Sequence, residues 1–318
     1  MTLLEIKNLN VTYQTRERAI AAVEDVSLRI EEGKPLGVVG ESGSGKSTLA
    51  TAILRMLPAG TRVEGEIFLK GRELLTMPEA ELQKLRWKEM SVVFQKSMNI
   101  LSPVHKIERQ LADMYRVHDP KMPKKEIRKR LEELLSLVNL PERVLRSYPH
   151  ELSGGQLQRV SIAASLMHNP PFVILDEATT ALDVITQGQI LKEIQELRDK
   201  LKVTWLLITH DISVVSSCCD QIAVMYAGRL MEYGSVEQVI CHPAHPYTMG
   251  LLGSFPALYG KKENLRGIPG NMPDLSGKPD GCVFAPRCPY AQEACRSGRM
   301  NMTETEPGHL TACPFERR

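Results

Sequence analysis

The chain has few aromatic residues and almost no net charge, and both shortages restrict what it can bind. Phenylalanine, tryptophan and tyrosine make up 5% of the 318 residues, which argues against the base-stacking surfaces that hold single-stranded nucleic acid. A net charge of +2 gives no strong field to attract a polyanion. We therefore expect no nucleic-acid partner.

Long apolar runs are also missing. The apolar stretches at 172–175 and 204–209 have the length of strands, far short of the roughly 20 residues that a helix needs to cross a bilayer. Glu5 and Lys7 place charges where a signal peptide would need an apolar segment. These features predict a cytosolic chain, with docking on a membrane protein left open.

What is present fits a globular protein with a core, because 42% of the residues are hydrophobic and 25% are charged. The first 70 residues alternate apolar and polar positions, which predicts antiparallel strands. Strand patterns at 171–175, 204–209 and 221–226 alternate with helix patterns at 157–167, 187–201 and 212–217. This rhythm predicts a parallel sheet flanked by helices. Further helices are predicted at 79–90 and 123–139, and a domain boundary near 235, where proline, glycine and cysteine become dense.

Residues 40–47, Gly-Glu-Ser-Gly-Ser-Gly-Lys-Ser, predict a phosphate-binding loop. The glycines allow backbone N–H groups to turn inward, Lys46 would reach the β- and γ-phosphates, and the Ser47 hydroxyl would hold Mg²⁺. A strand pattern at 35–39 precedes the loop and a helix pattern at 48–54 follows it, so a helix N-terminus would point at the phosphate. This setting disfavours the alternative of a surface Gly/Ser turn.

Two further strings extend the candidate site. An apolar strand at 172–175 ends in Asp176 and Glu177, which would face the Mg²⁺ water shell and a water near the γ-phosphate. Residues 152–156, Leu-Ser-Gly-Gly-Gln, predict a second anion site at a helix N-terminus. One nucleotide does not need two such sites from one chain, so this one would serve a nucleotide held by a partner subunit. An ordinary helix cap would account for Ser153 but not for the two glycines.

In order and spacing, these motifs resemble the ATP-binding-cassette (ABC) ATPases over nearly all of residues 1–235. The resemblance implies an α/β P-loop NTPase fold with a RecA-like parallel sheet core, an antiparallel β subdomain and a helical signature subdomain at about 97–165. A small irregular cysteine-rich extension would follow over 236–318. The implied ATP-binding residues are Tyr13, Gly40, Ser42, Gly43, Ser44, Gly45, Lys46, Ser47, Thr48 and Gln95.

The resemblance also assigns roles. Glu177 would be the general base, His210 would hold the γ-phosphate and the attacking water, and Lys46 would offset developing charge. By themselves, His210 and Tyr13 fit a structural histidine and a packed strand aromatic; their place in the series favours function. The implied Mg²⁺ ligands are Ser47, Gln95 and Asp176. The signature contacts to a facing subunit's ATP would be Ser153, Gly154, Gly155 and Gln156, and the D-loop residue would be Asp183.

The implied partners follow from the same resemblance. ATP would close a head-to-tail dimer with a second ABC ATPase, identical or paralogous, and hydrolysis would reopen it. The groove near Gln95 would pass this motion to two transmembrane permease subunits, with an extracytoplasmic substrate-binding protein as an indirect partner. We therefore expect the chain at the cytoplasmic face of the cell membrane.

Residues 242–248, His-Pro-Ala-His-Pro-Tyr-Thr, are similar to the segment that begins the C-terminal extension of oligopeptide and dipeptide permease ATPases. An importer ATPase for peptides is implied, with nickel chelates or oligosaccharides as alternative cargo. A soluble ABC ATPase of DNA repair or translation is disfavoured by the short interval from Gln95 to Ser153. A non-catalytic nucleotide-binding regulator is disfavoured because Glu177 and His210 are both present.

Four of the seven cysteines fall in the last 37 residues. The tight Cys-x-x-Cys pairs of zinc sites are missing, and Cys288 and Cys313 each precede proline, as the last ligand of bacterial ferredoxin runs does. Related permease ATPases point to a [4Fe–4S] cluster here; zinc and buried thiols are the alternatives. The proposed ligands are Cys282, Cys288, Cys295 and Cys313, whereas Cys218, Cys219 and Cys241 are assigned to packing.

Overall fold

The computed structural model describes residues 1–94, 101–178, 183–254, 267–277, 280–298 and 300–315. The chain divides into two compact units, one comprising Met1–Thr76 with Leu207–Arg318 and the other Met77–Leu206. The division predicted from sequence, with a boundary near 235 and a helical subdomain at about 97–165, stays a prediction.

An antiparallel sheet begins the first unit, as the alternating pattern of the first 70 residues predicted. Its strands are β1 (Thr2–Gln14), β2 (Ala19–Glu31), β4 (Arg62–Leu69) and β5 (Arg72–Glu73), in the order β2-β1-β4-β5. In β1, the side chains of Leu4, Ile6 and Val11 are buried. Apolar side chains alternate with polar ones around Leu4 and Ile6, and register shifts beyond Ile6 bring Val11 to the core as well.

A second sheet in this unit contains β3 (Leu36–Val39), β9 (Gln221–Tyr226), β10 (Arg229–Ser235), β11 (Thr303–Glu306) and β12 (His309–Thr311). β3 and β9 are parallel, as predicted, whereas β10 is antiparallel to both β9 and β12. Ala227 and Gly228, with φ of 49° and 80°, make the tight turn from β9 into β10. Two consecutive positive φ angles favour a two-residue hairpin, and the antiparallel pairing follows from it.

The described residues of the first unit include the α-helices α1 (Lys46–Ile53), α7 (Ile212–Cys218), α8 (Val236–Cys241) and α9 (Pro246–Gly253). Helix α7 lies directly on β3, because a Cβ added to Gly37 would fall 2.0 Å from Val215 Cγ1. The tail was expected to lack long periodic segments. The elements described there are short: the helices α8 and α9 and the hairpin β11–β12.

The second unit is mainly helical. It contains α2 (Glu79–Leu85), α3 (Ile107–His118), α4 (Lys124–Leu137), α5 (Gly154–Ser165) and α6 (Val184–Leu201), together with the parallel strands β6 (Met90–Val93) and β7 (Phe172–Asp176). Strand β8 (Thr204–Thr209) begins in this unit and ends in the first. In the described part of the chain, no helix is both long enough and apolar enough to span a membrane.

Two sequence-based expectations need correction here. The helix predicted at 79–90 ends at Leu85, because the backbone of Arg86 leaves the helical region (φ −55°, ψ 138°) and Met90 already begins β6. Helix α3 was not predicted. Ile107 and Leu111 are its fully buried residues, and two buried positions give too weak an apolar stripe to be recognised in the sequence.

Candidate nucleotide site

The predicted site residues are divided between the two units. Tyr13, residues 40–48 and His210 lie in the first unit, and residues 153–156, Asp176, Glu177 and Asp183 lie in the second. Gln95 lies outside the described residues, so its predicted contacts stay a prediction.

Residues 40–47 form a loop that only glycine can build at two positions. Gly40 and Gly45 have φ of 154° and 100°, values that residues with a side chain rarely adopt. A Cβ on Gly40 would lie 2.1 Å from the Met225 carbonyl oxygen, and a Cβ on Gly45 would lie 2.4 Å from the Ala22 carbonyl oxygen. The loop therefore packs with its backbone against the neighbouring strands, and α1 begins directly after it.

Lys46 is held inside this loop by the loop's own oxygens. Its Nζ donates to the carbonyl oxygens of Gly40 and Glu41, both at 2.8 Å, and to Ser44 Oγ at 3.2 Å. The residue is 4% exposed, and a buried ammonium group needs such acceptors. The ammonium group has three N–H donors, and phosphate oxygens would accept hydrogen bonds from the same donors.

Tyr13 reaches the helix that follows the loop. Its hydroxyl donates to Thr48 Oγ1 at 3.1 Å, which brings the aromatic ring predicted to stack on adenine to the first turn of α1. The stacking role itself stays a prediction.

His210 directly follows β8, and it is exposed. The backbone on its C-terminal side is fixed, because the Asp211 N–H donates to Thr209 Oγ1 at 3.1 Å and Asp211 Oδ1 accepts from the Ser213 N–H at 2.9 Å. A strand end and a capped helix therefore position an imidazole that is accessible to solvent.

In the second unit, Asp176 ends β7 and is 4% exposed. Glu177 follows with a φ of 47°, a conformation that costs a non-glycine residue about 1–3 kcal/mol. Such backbone strain concentrates at functional sites. The two carboxylates therefore differ in environment: Asp176 is buried at the end of the strand, and Glu177 lies on a strained turn.

Ser153 caps α5. Its Oγ accepts from the Gln156 N–H at 3.3 Å, and Gln156 Oε1 accepts from the Ser153 N–H at 3.0 Å, which is the reciprocal arrangement of a capping box. A Cβ on Gly155 would fall 2.8 Å from Thr186 Cγ2 in α6. Helix packing therefore accounts for Gly155, a reason that sequence reasoning missed when it linked both glycines to anion binding.

Asp183 caps α6. Its Oδ1 accepts from the Thr186 N–H at 3.0 Å and its Oδ2 from the Thr186 hydroxyl at 2.7 Å. These hydrogen bonds, the backbone one first, hold the pKa of the Asp183 carboxyl below its usual value. Arg159 in α5 binds Glu193 in α6 through two hydrogen bonds of 2.8 and 2.9 Å. Helices α5 and α6 are therefore joined by a two-bond ion pair midway along their lengths.

The cysteine-rich tail does not contain the predicted metal site in recognisable form. The Cys282 N–H donates to the Cys295 carbonyl oxygen at 2.8 Å. Burial raises the pKa of the Cys282 thiol, and the neighbouring Cys295 and Cys288 raise it further. Cys313 lies just after β12. Among the residues described by the structure, no group of three or more histidine, cysteine, aspartate or glutamate side chains is placed to hold a metal ion, so the [4Fe–4S] prediction is not confirmed.

Sequence reasoning missed Tyr247 and Arg287, which lie in the tail and form hydrogen bonds with the phosphate loop. The Glu41 N–H donates to the Tyr247 hydroxyl at 2.9 Å, and Arg287 Nη1 donates to Glu41 Oε2 at 2.9 Å. Tyr247 belongs to the His-Pro-Tyr segment, which the sequence analysis used only to indicate the family and not to predict a contact with the loop. Arg287 had no signal beyond its place next to Cys288.

Comparison with known families identifies the chain. The model described as "ABC transporter" matches residues 23–180, and "Oligopeptide/dipeptide transporter, C-terminal region" matches residues 231–295. The oligopeptide transport ATP-binding protein OppD of Haemophilus influenzae is 44% identical over 313 residues, which are 98% of this chain and 96% of that protein. The chain belongs to the oligopeptide/dipeptide branch of the ABC transporter ATP-binding proteins.

Further ABC proteins support the same assignment. The dipeptide transport ATP-binding protein DppD of Caldanaerobacter subterraneus is 41% identical over 98% of this chain and 96% of its own length. The dimeric post-hydrolysis state of the ATP-binding cassette MJ0796, bound to ADP and Pi, matches with a TM-score of 0.66 and 32% identity, covering 74% of this chain and 99% of that one. The predicted family, the ABC nucleotide-binding fold and the class of ABC ATPase are confirmed.

Proposed function

We propose that this ABC ATPase energises the import of peptides through transmembrane permease subunits. The observation that carries the proposal is similarity along almost the whole chain to proteins named for oligopeptide and dipeptide transport. The match of residues 231–295 to the C-terminal region of oligopeptide/dipeptide transporters supports it. Nickel chelates and oligosaccharides are the competing cargo classes.

The phosphate loop would bind the β- and γ-phosphates of ATP through its backbone N–H groups and Lys46. The oxygen donors of Ser47, Gln95 and Asp176 suit Mg²⁺, which prefers hard ligands of this kind. When bound, Mg²⁺ supplies charge neutralisation on the phosphate oxygens. Tyr13 would stack on the adenine ring.

Hydrolysis requires a water to attack the γ-phosphorus while the bond to the leaving oxygen of ADP breaks. Glu177 would accept the proton of that water, and His210 would orient the water and the γ-phosphate by hydrogen bonds. Lys46 would stabilise the charge that develops on the phosphoryl oxygens, together with Ser153, Gly154, Gly155 and Gln156 of a facing subunit. Asp183 would shape the D-loop beside this composite site.

The assembly we propose is a head-to-tail dimer with a second ABC ATPase, identical or paralogous, on the cytoplasmic face of two permease subunits. Residues 1–235 would form the nucleotide-binding domain and residues 236–318 the extension. Gln95 would transmit closure and reopening to the permease, and an extracytoplasmic binding protein would deliver the cargo.

Peptide uptake tests the assignment. In cells that lack the native gene, we expect the wild-type chain to restore uptake of labelled di- and oligopeptides and Lys46→Ala to restore none. The matched control is Lys34→Ala, which removes a surface lysine whose side chain is 56% exposed and should restore uptake fully. Restored uptake of a nickel chelate or an oligosaccharide, without peptide uptake, would contradict the proposed cargo.

We also propose that Cys282, Cys288, Cys295 and Cys313 bind a [4Fe–4S] cluster that stabilises the tail, with zinc as the alternative. The support is the density of cysteines in a segment with little apolar core, which gains stability from a metal centre, and the proximity of Cys282 to Cys295. Among the described residues, no group of side chains is placed to hold a metal ion. Metal binding would therefore require the four thiols to move closer to one another.

Measuring the metal content distinguishes an iron–sulfur cluster from a zinc site and from packed thiols without metal. Protein purified without oxygen should be brown and contain about four irons per chain. Cys288→Ala should lose the iron while keeping ATP binding, whereas the control Cys241→Ala, an exposed cysteine, should keep it. Colourless protein with one zinc would replace the cluster with a zinc site, and metal-free protein with an ordered tail would return the cysteines to packing.

A further inference from the structure

Glu41 places a carboxylate inside the loop that would bind a triphosphate. Its Oε2 accepts from Arg287 Nη1 at 2.9 Å. Its Oε1 is buried and has no hydrogen-bond partner among the described residues. A carboxylate beside a phosphate site repels the ligand, and the repulsion is stronger where water is partly excluded. The loop can tolerate Glu41 only if an opposite charge neutralises it.

The guanidinium group of Arg287 supplies the opposite charge, and the fold holds it in place. Its side chain is 7% exposed. Besides Glu41, it donates to the Tyr226 hydroxyl at 3.1 Å, to the Pro269 carbonyl oxygen at 2.8 Å and to the Ile268 carbonyl oxygen at 3.1 Å. Four acceptors fix the guanidinium plane, so the position of the charge is determined by the fold rather than by a flexible surface contact.

Tyr247 holds the backbone of the same loop residue. Its hydroxyl accepts from the Glu41 N–H at 2.9 Å, and burial raises the pKa of Tyr247, so the phenol stays neutral. The rings of Tyr226, Tyr247 and Phe284 contact one another at centroid distances of 4.7, 5.3 and 5.4 Å. Both the main chain and the side chain of Glu41 are therefore held by residues from beyond 235.

The segment before Arg287 also lies against the loop and the neighbouring hairpin. Met272 Sδ lies 3.6 Å from where a Cβ of Gly43 would be. Asp274 forms an ion pair with Arg18, and the Ala21 N–H donates to the Leu275 carbonyl oxygen at 3.4 Å. The tail thus touches the phosphate loop at Glu41 and at Gly43, and it holds the β1–β2 turn close by.

We propose that Arg287 is a positioning residue of the nucleotide site: it neutralises Glu41 and fixes the phosphate loop from the C-terminal extension. It contacts no phosphate itself and acts through Glu41. The inference rests on the proposed ATP site. If the charge balance is its role, removing the cation must weaken nucleotide binding, and removing the anion as well must restore it.

The test measures the dissociation constant of a fluorescent ATP analogue with Mg²⁺, using the full chain, for wild type, Arg287→Met, Glu41→Gln and the double variant. Arg287→Met keeps much of the aliphatic volume over Tyr226 and should weaken binding about tenfold, which corresponds to about 1.4 kcal/mol. Glu41→Gln alone and the double variant should stay within about threefold of wild type.

Arg296→Met is the matched control, because Arg296 is an exposed arginine of the same extension and its replacement should leave affinity unchanged. Should Arg287→Met not fold, as judged by thermal melting, Arg287→Gln removes the charge but keeps a donor. Wild-type affinity in the charge-removing variant, or a double variant as weak as the single one, would overturn the inference. Failure of the wild type to bind ATP would instead overturn the proposed nucleotide site.

Discussion

Replacing Glu177 with glutamine is expected to abolish measurable ATP turnover while leaving ATP binding intact. The glutamine amide keeps the shape of the side chain but cannot accept the proton of the attacking water, and loss of a general base typically lowers the rate ~10²- to 10⁴-fold. Because glutamine has the same shape as glutamate, the strained backbone turn at residue 177 (φ 47°) carries a side chain of the same size in the variant. The measurement is steady-state phosphate release together with the dissociation constant for ATP.

The variant should also accumulate an ATP-bound closed dimer, visible as a larger species in gel filtration with Mg·ATP. Glu196→Gln is the matched control, since Glu196 is an exposed carboxylate on α6 and its loss should leave turnover unchanged. Hydrolysis by Glu177→Gln within a few-fold of wild type would remove Glu177 from the role of base.

The candidate site residues that the sequence could indicate belong to motifs of consecutive residues. The phosphate loop needs glycines at fixed positions because its backbone approaches the carbonyl oxygens of Met225 and Ala22. A glycine spacing of this kind can be recognised in a short stretch of sequence. The same holds for Asp176 and Glu177, because the first carboxylate ends a buried strand and the second follows it directly.

The parts that were missed depend on contacts between distant segments. Arg287 lies 246 residues from Glu41, and nothing in either local sequence indicates the pair. Gly155 also has a packing reason that its local sequence does not show, because Thr186 of α6 lies against it. The helix predicted at 79–90 ends early because the chain turns at Arg86. The Trp87 N–H donates to the Met90 carbonyl oxygen at 2.7 Å, and Met90 begins the strand that pairs with β7.

Ser153 presents the sharpest question about the assembly, because the structure gives its hydroxyl a complete local role. It caps α5 by accepting from the Gln156 N–H, so Ser153→Ala would cost about 1 kcal/mol of helix stability and confuse stability with catalysis. Ser153→Asp avoids this problem, since aspartate is an equally good N-cap. It would, however, place a negative charge against the γ-phosphate of ATP bound to a facing subunit.

Mixing two inactive variants should therefore restore activity. In a head-to-tail dimer of Lys46→Ala and Ser153→Asp, one composite site carries both defects and the other carries neither. Random pairing of equal amounts should restore about a quarter of wild-type turnover, because half of the dimers are mixed and each has one intact site. Phosphate release by the mixture and by each parent is the measurement.

Ser235→Asp is the matched control, since Ser235 caps α8 through the same capping box with Gln238 and its replacement should leave turnover unchanged. For an assembly with a paralogous ATPase, the two substitutions are placed in the two different chains. A mixture as inactive as its parents, or a fully active Ser153→Asp protein, would contradict a role for Ser153 across the dimer.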